Sequence, residues 1–318
     1  MRQSGSRTHS EGSRSVTRFG IIGGGLMGHG IAVALAQAGH QVGVFDIDPV
    51  VLASLDARVG QALSRIGVPP GQIRTVQERI APVASLPELA RRSEIVVESV
   101  SERLAVKHDV LAAIESDIAP DTPIWTNTSV LSISKVAHAM AHPERLVGVH
   151  WWNPPYLIPL VEIAPGEESD ANVVKHAYDL IASLGKTTVR LHRDVPGFIG
   201  NRLQFALVRE ALYLLDEGVC EPETIDTVVR ASLGLRWAAV GPMENADYIG
   251  LDLTRAILAN LAHDLSTQTN SFPTLDQLLE QARTGRPTGS GLLTWPDGRG
   301  DEVATRLEAG IRRGLSPN

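Results

Sequence analysis

A histidine and a glutamate twelve residues apart are the most chemically informative pair in this chain. His150 ends the apolar run "RLVGVH", and Glu162 lies inside the next apolar run, "LIPLVEI". Histidine removes protons near neutral pH, and it does so better when a carboxylate fixes its tautomer and stabilises the imidazolium. A carboxylate inside an apolar strand is costly to bury without a partner. If the two runs are adjacent strands, the spacing predicts a His150–Glu162 pair able to act as a general base.

A glycine-rich turn near the start of the chain predicts a dinucleotide site. The run Gly23-Gly24-Gly25-Leu26-Met27-Gly28 fits the G-x-G-x-x-G pattern, follows an apolar strand and opens a helical pattern. Its three glycines permit a tight turn, close approach of backbone to a pyrophosphate, and packing of helix on strand. Asp46 ends the second strand, 23 residues after Gly23. A carboxylate there accepts the ribose hydroxyls of NAD and repels the extra phosphate of NADP, so we expect NAD.

The order of apolar strands and helical segments predicts the fold that positions these residues. Short apolar runs such as "QVGVFDID", "EIVVES" and "PIWTN" alternate with helical patterns at 49–66 and 104–118, and "GVPPG" breaks the first of these. Such alternation is typical of a mostly parallel sheet covered on both faces. After Pro196-Gly197 the spacing is helical at 198–217, 222–233 and 245–267. The sequence therefore predicts an α/β, Rossmann-type domain at 18–194, an all-helical C-terminal domain at 195–318, and a disordered tail at 1–17.

The composition indicates the cellular compartment and excludes some classes of partner. The chain has 318 residues, 43 % of them hydrophobic, which suffices for two domains. Its formal charge of -7 argues against nucleic acid or an anionic membrane as partner. No apolar run is long enough to span a membrane, and the single cysteine, Cys220, suits a reducing compartment. We expect a cytoplasmic protein with a small-molecule substrate and no bound metal.

Several motifs in sequence order resemble those of the 3-hydroxyacyl-CoA dehydrogenase family. "GVHWWNPPYLIPLVEI" is similar to its His-aromatic-Asn-Pro signature with a trailing Leu-Val-Glu, and "VESVSERLAVKHDVL", "TNTSVLSIS", "DVPGFIGNR" and "GRPTGSGLLTW" are similar to further family segments. The resemblance covers roughly residues 18–295. It implies an NAD-dependent dehydrogenase that transfers hydride from the C3 alcohol of a β-hydroxy acid to NAD. It also implies a homodimer formed through the helical domain.

The resemblance assigns roles to individual residues. By it, His150 is the base and Glu162 its orienting partner, while Ser129 and Asn201 hydrogen-bond the reacting oxygen. Asn153 orients the substrate or the histidine. In addition to the glycine turn, the resemblance implies that Glu102 and Lys107 line the nicotinamide end of the cofactor and that Asn127 contributes to cofactor binding. From the residues alone, Ser129 could instead cap a helix, and Glu102 and Lys107 could be solvated helix residues.

The substrate class is left open between two readings. The segment 49–79, where acyl-CoA members typically carry several basic residues, has four arginines and no lysine. "GLRWAAVGPM" resembles shorter relatives acting on free hydroxy acids, such as L-gulonate, carnitine and pyridine-carboxylate dehydrogenases, and Arg236 could bind a carboxylate there. Trp151 and Trp152 replace smaller aromatics and could line a substrate pocket or simply pack. The scarcity of basic residues at 49–79 and the segment "GLRWAAVGPM" favour a free acid over a CoA or carrier-protein thioester.

Two other classes of protein compete with this interpretation. The hydroxyisobutyrate and 6-phosphogluconate type of dehydrogenase begins with a similar turn but uses a lysine in its helical domain. This chain has no lysine after Lys186, which excludes that mechanism. A non-catalytic NAD-binding protein on the same fold is the remaining alternative, and it would be expected to lack part of the set of catalytic residues.

Overall fold

The computed structural model describes residues 15–315. The described residues up to Ile199 form one compact unit, and those from Gly200 form a second. Most of the tail expected at 1–17 lies outside the described residues, and residues 15–17 adopt no regular structure.

A single eight-stranded sheet forms the centre of the first unit. The strands are β1 (Arg18–Ile22), β2 (Gln41–Phe45), β3 (Ile80–Pro82), β4 (Ile95–Glu98), β5 (Ile124–Thr126), β6 (Leu146–Trp151), β7 (Leu160–Pro165) and β8 (Thr187–Arg190). Their order across the sheet is β3-β2-β1-β4-β5-β6-β7-β8. All neighbours pair in parallel except β6 and β7, which are antiparallel. Ligands of such sheets bind at the carboxyl ends of the parallel strands, where the polar residues of interest lie.

Helices cover both faces of this sheet. They are α1 (Leu26–Gln37), α2 (Pro49–Ala53), α3 (Leu55–Arg65), α4 (Pro70–Gln77), α5 (Leu86–Arg92), α6 (Leu104–Glu115), α7 (Ile133–Ala137) and α8 (Ala171–Ser183). Two hydrophobic clusters, one on each face, bury the apolar strand residues, which explains why the central strands read as continuous apolar runs. The helical pattern at 49–66 breaks as expected, but another helix begins at Pro70, since proline is well tolerated at the first helical position.

The second unit is built from helices. They are α9 (Gly200–Asp216), α10 (Pro222–Val228), α11 (Gly234–Ala239), α12 (Pro242–Ile249), α13 (Leu251–Leu261), α14 (Pro273–Glu280) and α15 (Arg299–Leu315), with a π-helical turn at Val229–Leu233. The pattern at 245–267 is not one helix, because Gly250 at φ 99° separates α12 from α13. Isolated bridges at Gly285, Ser290 and Thr294 are the β pairing within the described part of this unit.

The predicted fold class is therefore confirmed: a mostly parallel, Rossmann-type sheet is followed by helices. Within residues 15–315, none of the helices combines the length and the apolar character needed to cross a bilayer.

Candidate active site

The glycine turn between β1 and α1 has the shape of a phosphate cradle. Gly23 has φ 96°, and a Cβ there would lie 2.5 Å from the Ser99 carbonyl oxygen. A Cβ on Gly28 would lie 1.8 Å from the Gly23 carbonyl oxygen, so both positions require glycine. At Gly25, by contrast, a Cβ would meet no atom within 4 Å. Helix α1 begins there without a side-chain cap, so its N-terminal amides face open space suited to a pyrophosphate.

Asp46 is held beside this turn by backbone amides. Its Oδ2 accepts a hydrogen bond from the Gly24 N–H at 2.8 Å, and its Oδ1 accepts one from the Asp48 N–H at 2.9 Å. A carboxylate oxygen has room for a further donor, so ribose hydroxyls can still be bound. Together with the open face at Gly25, this arrangement fits the adenosine and pyrophosphate of NAD.

Arg58, one of the four arginines counted in the segment 49–79, also lies at this turn. One guanidinium nitrogen lies 3.3 Å from the Gly25 carbonyl oxygen, and the other donates to the Val51 carbonyl oxygen at 2.8 Å. Partial burial lowers the pKa of Arg58, although the nearby Asp46 carboxylate acts in the opposite direction. Arg58 lies in α3, the second helix after β2, and no local sequence pattern indicated that its side chain would contact the glycine turn.

A buried ion cluster lies at the carboxyl ends of β4 and β5. Lys107 Nζ, on α6, is 2.8 and 2.9 Å from the two carboxylate oxygens of Glu98 and 3.3 Å from Glu102. The Thr126 hydroxyl donates to Glu98 at 2.6 Å. The side chains of Lys107 and Glu98 are 1 % and 0 % exposed. The Lys107 ammonium therefore faces two carboxylates in the interior and is not a solvated helix residue. Glu98 was missed because it reads as the polar end of an apolar strand.

Glu102 connects this cluster to Ser129. Its Oε1 accepts hydrogen bonds from the backbone N–H groups of Ser129, at 2.8 Å, and Val130, at 3.0 Å, and from the Thr128 hydroxyl. Burial raises the pKa of Glu102, but the hydrogen bonds from Thr128 and the two amides, with the Lys107 charge, outweigh burial and lower it. Glu102 is thus anionic at neutral pH, and it fixes the backbone that carries Ser129 directly after β5.

His150 and Glu162 meet across the antiparallel pair. β6 and β7 place the two residues directly opposite each other in register, and His150 Nδ1 lies 2.8 Å from Glu162 Oε2. Their side chains are 6 % and 1 % exposed. The imidazole Nε2 is left for another partner, as a general base requires.

Residues after β8 also contact Glu162. Gly197 and Phe198 both have left-handed backbone, with φ 76° and 48°. The turn directs the Ile199 N–H at Glu162 Oε1, 3.0 Å away, and places the Phe198 ring 5.5 Å from the His150 ring, centroid to centroid. The motif "DVPGFIGNR" therefore contributes at least a backbone amide and an aromatic ring to this pair.

The two tryptophans after His150 occupy different environments. Trp151 is 1 % exposed and packs in a hydrophobic cluster of the sheet rather than on an open surface. Its backbone N–H donates to Asn127 Oδ1 at 2.9 Å, so Asn127 ties β5 to the end of β6. The Trp152 ring lies 5.4 Å from the His150 ring. Asn153 follows and is exposed.

The remaining predicted site residues lie in the second unit. Asn201 is the second residue of α9, and Arg236 is an exposed residue of α11. Their roles stay predictions.

The fold and this site define a class, the NAD-dependent dehydrogenases that act on a hydroxyl group. Residues 18–195 match the family described as 3-hydroxyacyl-CoA dehydrogenase, NAD binding domain, and residues 197–295 match its C-terminal domain. The chain belongs to the 3-hydroxyacyl-CoA dehydrogenase family, and NAD is its cofactor.

Relatives within the family act on different substrates. The chain is 34 % identical over 291 residues, 88 % of its length and 91 % of the relative, to the 5-formyl-3-hydroxy-2-methylpyridine 4-carboxylate 5-dehydrogenase of Mesorhizobium japonicum. A crystal structure of an enzyme of that name superimposes with a TM-score of 0.86 at 31 % identity, covering 94 % of this chain and 98 % of that one. L-carnitine dehydrogenase of Pseudomonas aeruginosa is 40 % identical over 71 % of this chain and 70 % of its own length. A probable 3-hydroxybutyryl-CoA dehydrogenase of Bacillus subtilis is 30 % identical over 87 % and 96 %.

Proposed function

We propose that this enzyme oxidises the C3 alcohol of a β-hydroxy acid, with His150 as the general base and Glu162 as its orienting partner. The observation that carries the proposal is the buried contact of 2.8 Å between His150 Nδ1 and Glu162 Oε2. With Nδ1–H donated to the carboxylate, Nε2 is the nitrogen that can take the hydroxyl proton. NAD, when bound, supplies the hydride acceptor.

Two residues of the chain accept the hydroxyl proton and stabilise the positive charge that forms. As the hydroxyl proton moves to His150, a positive charge forms on the ring, and the adjacent Glu162 carboxylate stabilises it. In the reverse direction the same protonated ring returns its proton to the oxygen of a ketone. Ser129, held by Glu102 at the carboxyl end of β5, is proposed to hydrogen-bond the reacting oxygen.

We favour a free carboxylic acid as substrate over an acyl thioester. Two of the arginines in the segment 49–79 hydrogen-bond to backbone carbonyl oxygens of the chain: Arg58 to those of Gly25 and Val51, and Arg79 to that of Ala36 at 2.9 Å. They are therefore poorly placed to hold the phosphates of CoA. The likeness to the pyridine-carboxylate and carnitine dehydrogenases supports the same choice.

A 3-hydroxyacyl thioester is the second candidate. It is favoured by the likeness to the Bacillus subtilis protein over nearly the full length of both chains. In either case we place the reaction in the cytoplasm, where Cys220 would stay reduced.

We also propose a homodimer formed through the helical unit. Among residues 200–314, Leu212 is the one hydrophobic side chain that the structure buries. Large apolar side chains on α12 and α13 are instead exposed: Met243 75 %, Tyr248 88 %, Leu251 64 % and Leu258 54 %. An apolar surface of this extent is typical of a subunit interface.

NADH consumption by the purified chain tests the proposal. Acetoacetyl-CoA is compared with acetoacetate and benzoylacetate, and a His150→Ala variant is assayed alongside. We expect turnover of a free keto acid and a loss of roughly two to four orders of magnitude in the variant. Turnover of acetoacetyl-CoA alone would identify a thioester as the substrate class. Full activity of His150→Ala would refute the role of His150 as the general base.

A further inference from the structure

The two adjacent tryptophans present their indole N–H groups to different surroundings. Trp151 Nε1 is buried and has no hydrogen-bond partner among the residues that the structure describes. Trp152 Nε1 donates to Glu162 Oε2 at a distance of 3.3 Å. Only the second tryptophan of the pair thus contacts the carboxylate that holds the base.

Glu162 Oε2 is shared between two donors. It accepts from His150 Nδ1 at 2.8 Å and from Trp152 Nε1 at 3.3 Å, while Oε1 accepts from the Ile199 N–H at 3.0 Å. A hydrogen bond to a carboxylate stabilises its charge, and each added donor leaves less of that charge to stabilise a neighbouring imidazolium. At 3.3 Å the indole bond is the weaker of the two on Oε2, so its effect should be modest.

Among the described residues, the side chains given as contacts of His150 are one carboxylate and two uncharged rings. Glu162 is the charged group that the structure places against His150. The other groups that it places there are the rings of Trp152 and Phe198, both uncharged. On the other side, β8 sets the apolar Val189 beside Glu162.

We propose that Trp152 is a positioning residue that acts through Glu162 to lower the pH at which His150 takes up a proton. This inference rests on the proposed role of the His150–Glu162 pair. A base that stays neutral to lower pH can accept the hydroxyl proton over a wider range. A phenylalanine at this position would keep an aromatic ring beside His150 but would offer no donor.

The test is a titration of the His150 ring by NMR in the full-length chain labelled with 15N-histidine. Its signal is assigned by comparison with His150→Ala. Wild type is compared with Trp152→Phe and with the matched control Trp151→Phe, which removes an indole without a hydrogen bond. We expect the midpoint in Trp152→Phe to lie about half a pH unit or more above that of wild type, roughly a threefold change in proton affinity. The midpoint in Trp151→Phe should match wild type.

Two results would overturn the inference. One is an unchanged or lowered midpoint in Trp152→Phe, and the other is an equal rise in both variants, which would assign the effect to packing. If Trp152→Phe does not fold, benzothienylalanine placed at position 152 keeps the bicyclic ring without its N–H and serves the same comparison. Failure of the proposed function would show separately, as activity retained by His150→Ala.

Discussion

Two buried carboxylates in the same sheet differ in their partners, and the partner determines whether the pair is suited to proton transfer or to stabilising the fold. Glu162, in β7, faces His150, and histidine is the residue type best suited to exchanging a proton at neutral pH. Glu98, at the end of β4, faces Lys107, whose ammonium it contacts with both oxygens. Both carboxylates are fully buried and fully hydrogen-bonded. The pair with histidine can gain and lose a proton during a reaction, whereas the pair with lysine is suited to holding the ends of β4, β5 and α6 together.

The largest expected effect on stability comes from removing the cation of the Glu98–Lys107 pair. Lys107→Met leaves the Glu98 carboxylate buried without its cation, so the free energy of unfolding should fall by about 3–5 kcal/mol. Urea denaturation followed by circular dichroism measures it. Lys175→Met, which removes an exposed lysine paired with Asp179, is the control and should change stability by less than about 1 kcal/mol. Equal stability of the two variants would show that the buried cluster is not structural.

The next effect concerns the carboxylate at the glycine turn. Asp46→Ala removes the group proposed to bind the adenosine ribose, so the Kd for NADH should rise about 10- to 100-fold. Titration of NADH fluorescence measures it. Asp48→Ala is the matched control, because Asp48 caps α2 through the Val50 N–H at 2.9 Å. The same loss of affinity in both variants would argue for a general disturbance of the turn.

The smallest expected effect concerns Lys186, a partly buried lysine. Unlike Lys107, it hydrogen-bonds to backbone carbonyl oxygens. Lys186 Nζ donates to the carbonyl oxygens of Pro155 and Ile158 at 2.6 and 2.8 Å and lies 5.4 Å from the Trp151 ring centroid. Burial lowers the pKa of Lys186 from 10.5 to about 8. Between these values the unfolded chain binds more protons than the folded one, so the contribution of Lys186 to stability becomes more favourable as the pH rises.

Urea denaturation of wild type and of Lys186→Met at several pH values tests the direction of this pH dependence of stability. The stability of wild type relative to the variant should increase by about 1.5 kcal/mol between about pH 8 and pH 9.5. A difference that stays constant, or that falls with pH, would contradict the depressed pKa of Lys186.

The sequence predicted the sheet and several site residues because their signals are local. Apolar runs with helices between them define a parallel sheet, and the glycine pattern with Asp46 has a fixed spacing. The pairing of His150 with Glu162 followed from the cost of burying a carboxylate in a strand.

The rest depended on contacts that no local pattern encodes. Arg58 lies in an ordinary amphipathic helix, and its contact with Gly25 depends on how α3 packs beside the turn. The different surroundings of Trp151 and Trp152 depend on where β6 ends, since one ring packs in the core and the other turns to Glu162. The contribution of Ile199 is a backbone amide, to which the residue type gives no clue.

The most direct test of the central claim is the turnover of Glu162→Gln. The substitution keeps the size of the side chain and removes its charge, so the imidazolium loses its stabilising partner. With saturating NAD and the substrate found by the keto-acid comparison, we predict a kcat lower than wild type by about two to four orders of magnitude. A kcat within about twofold of wild type would show that the His150–Glu162 pair does not carry the reaction.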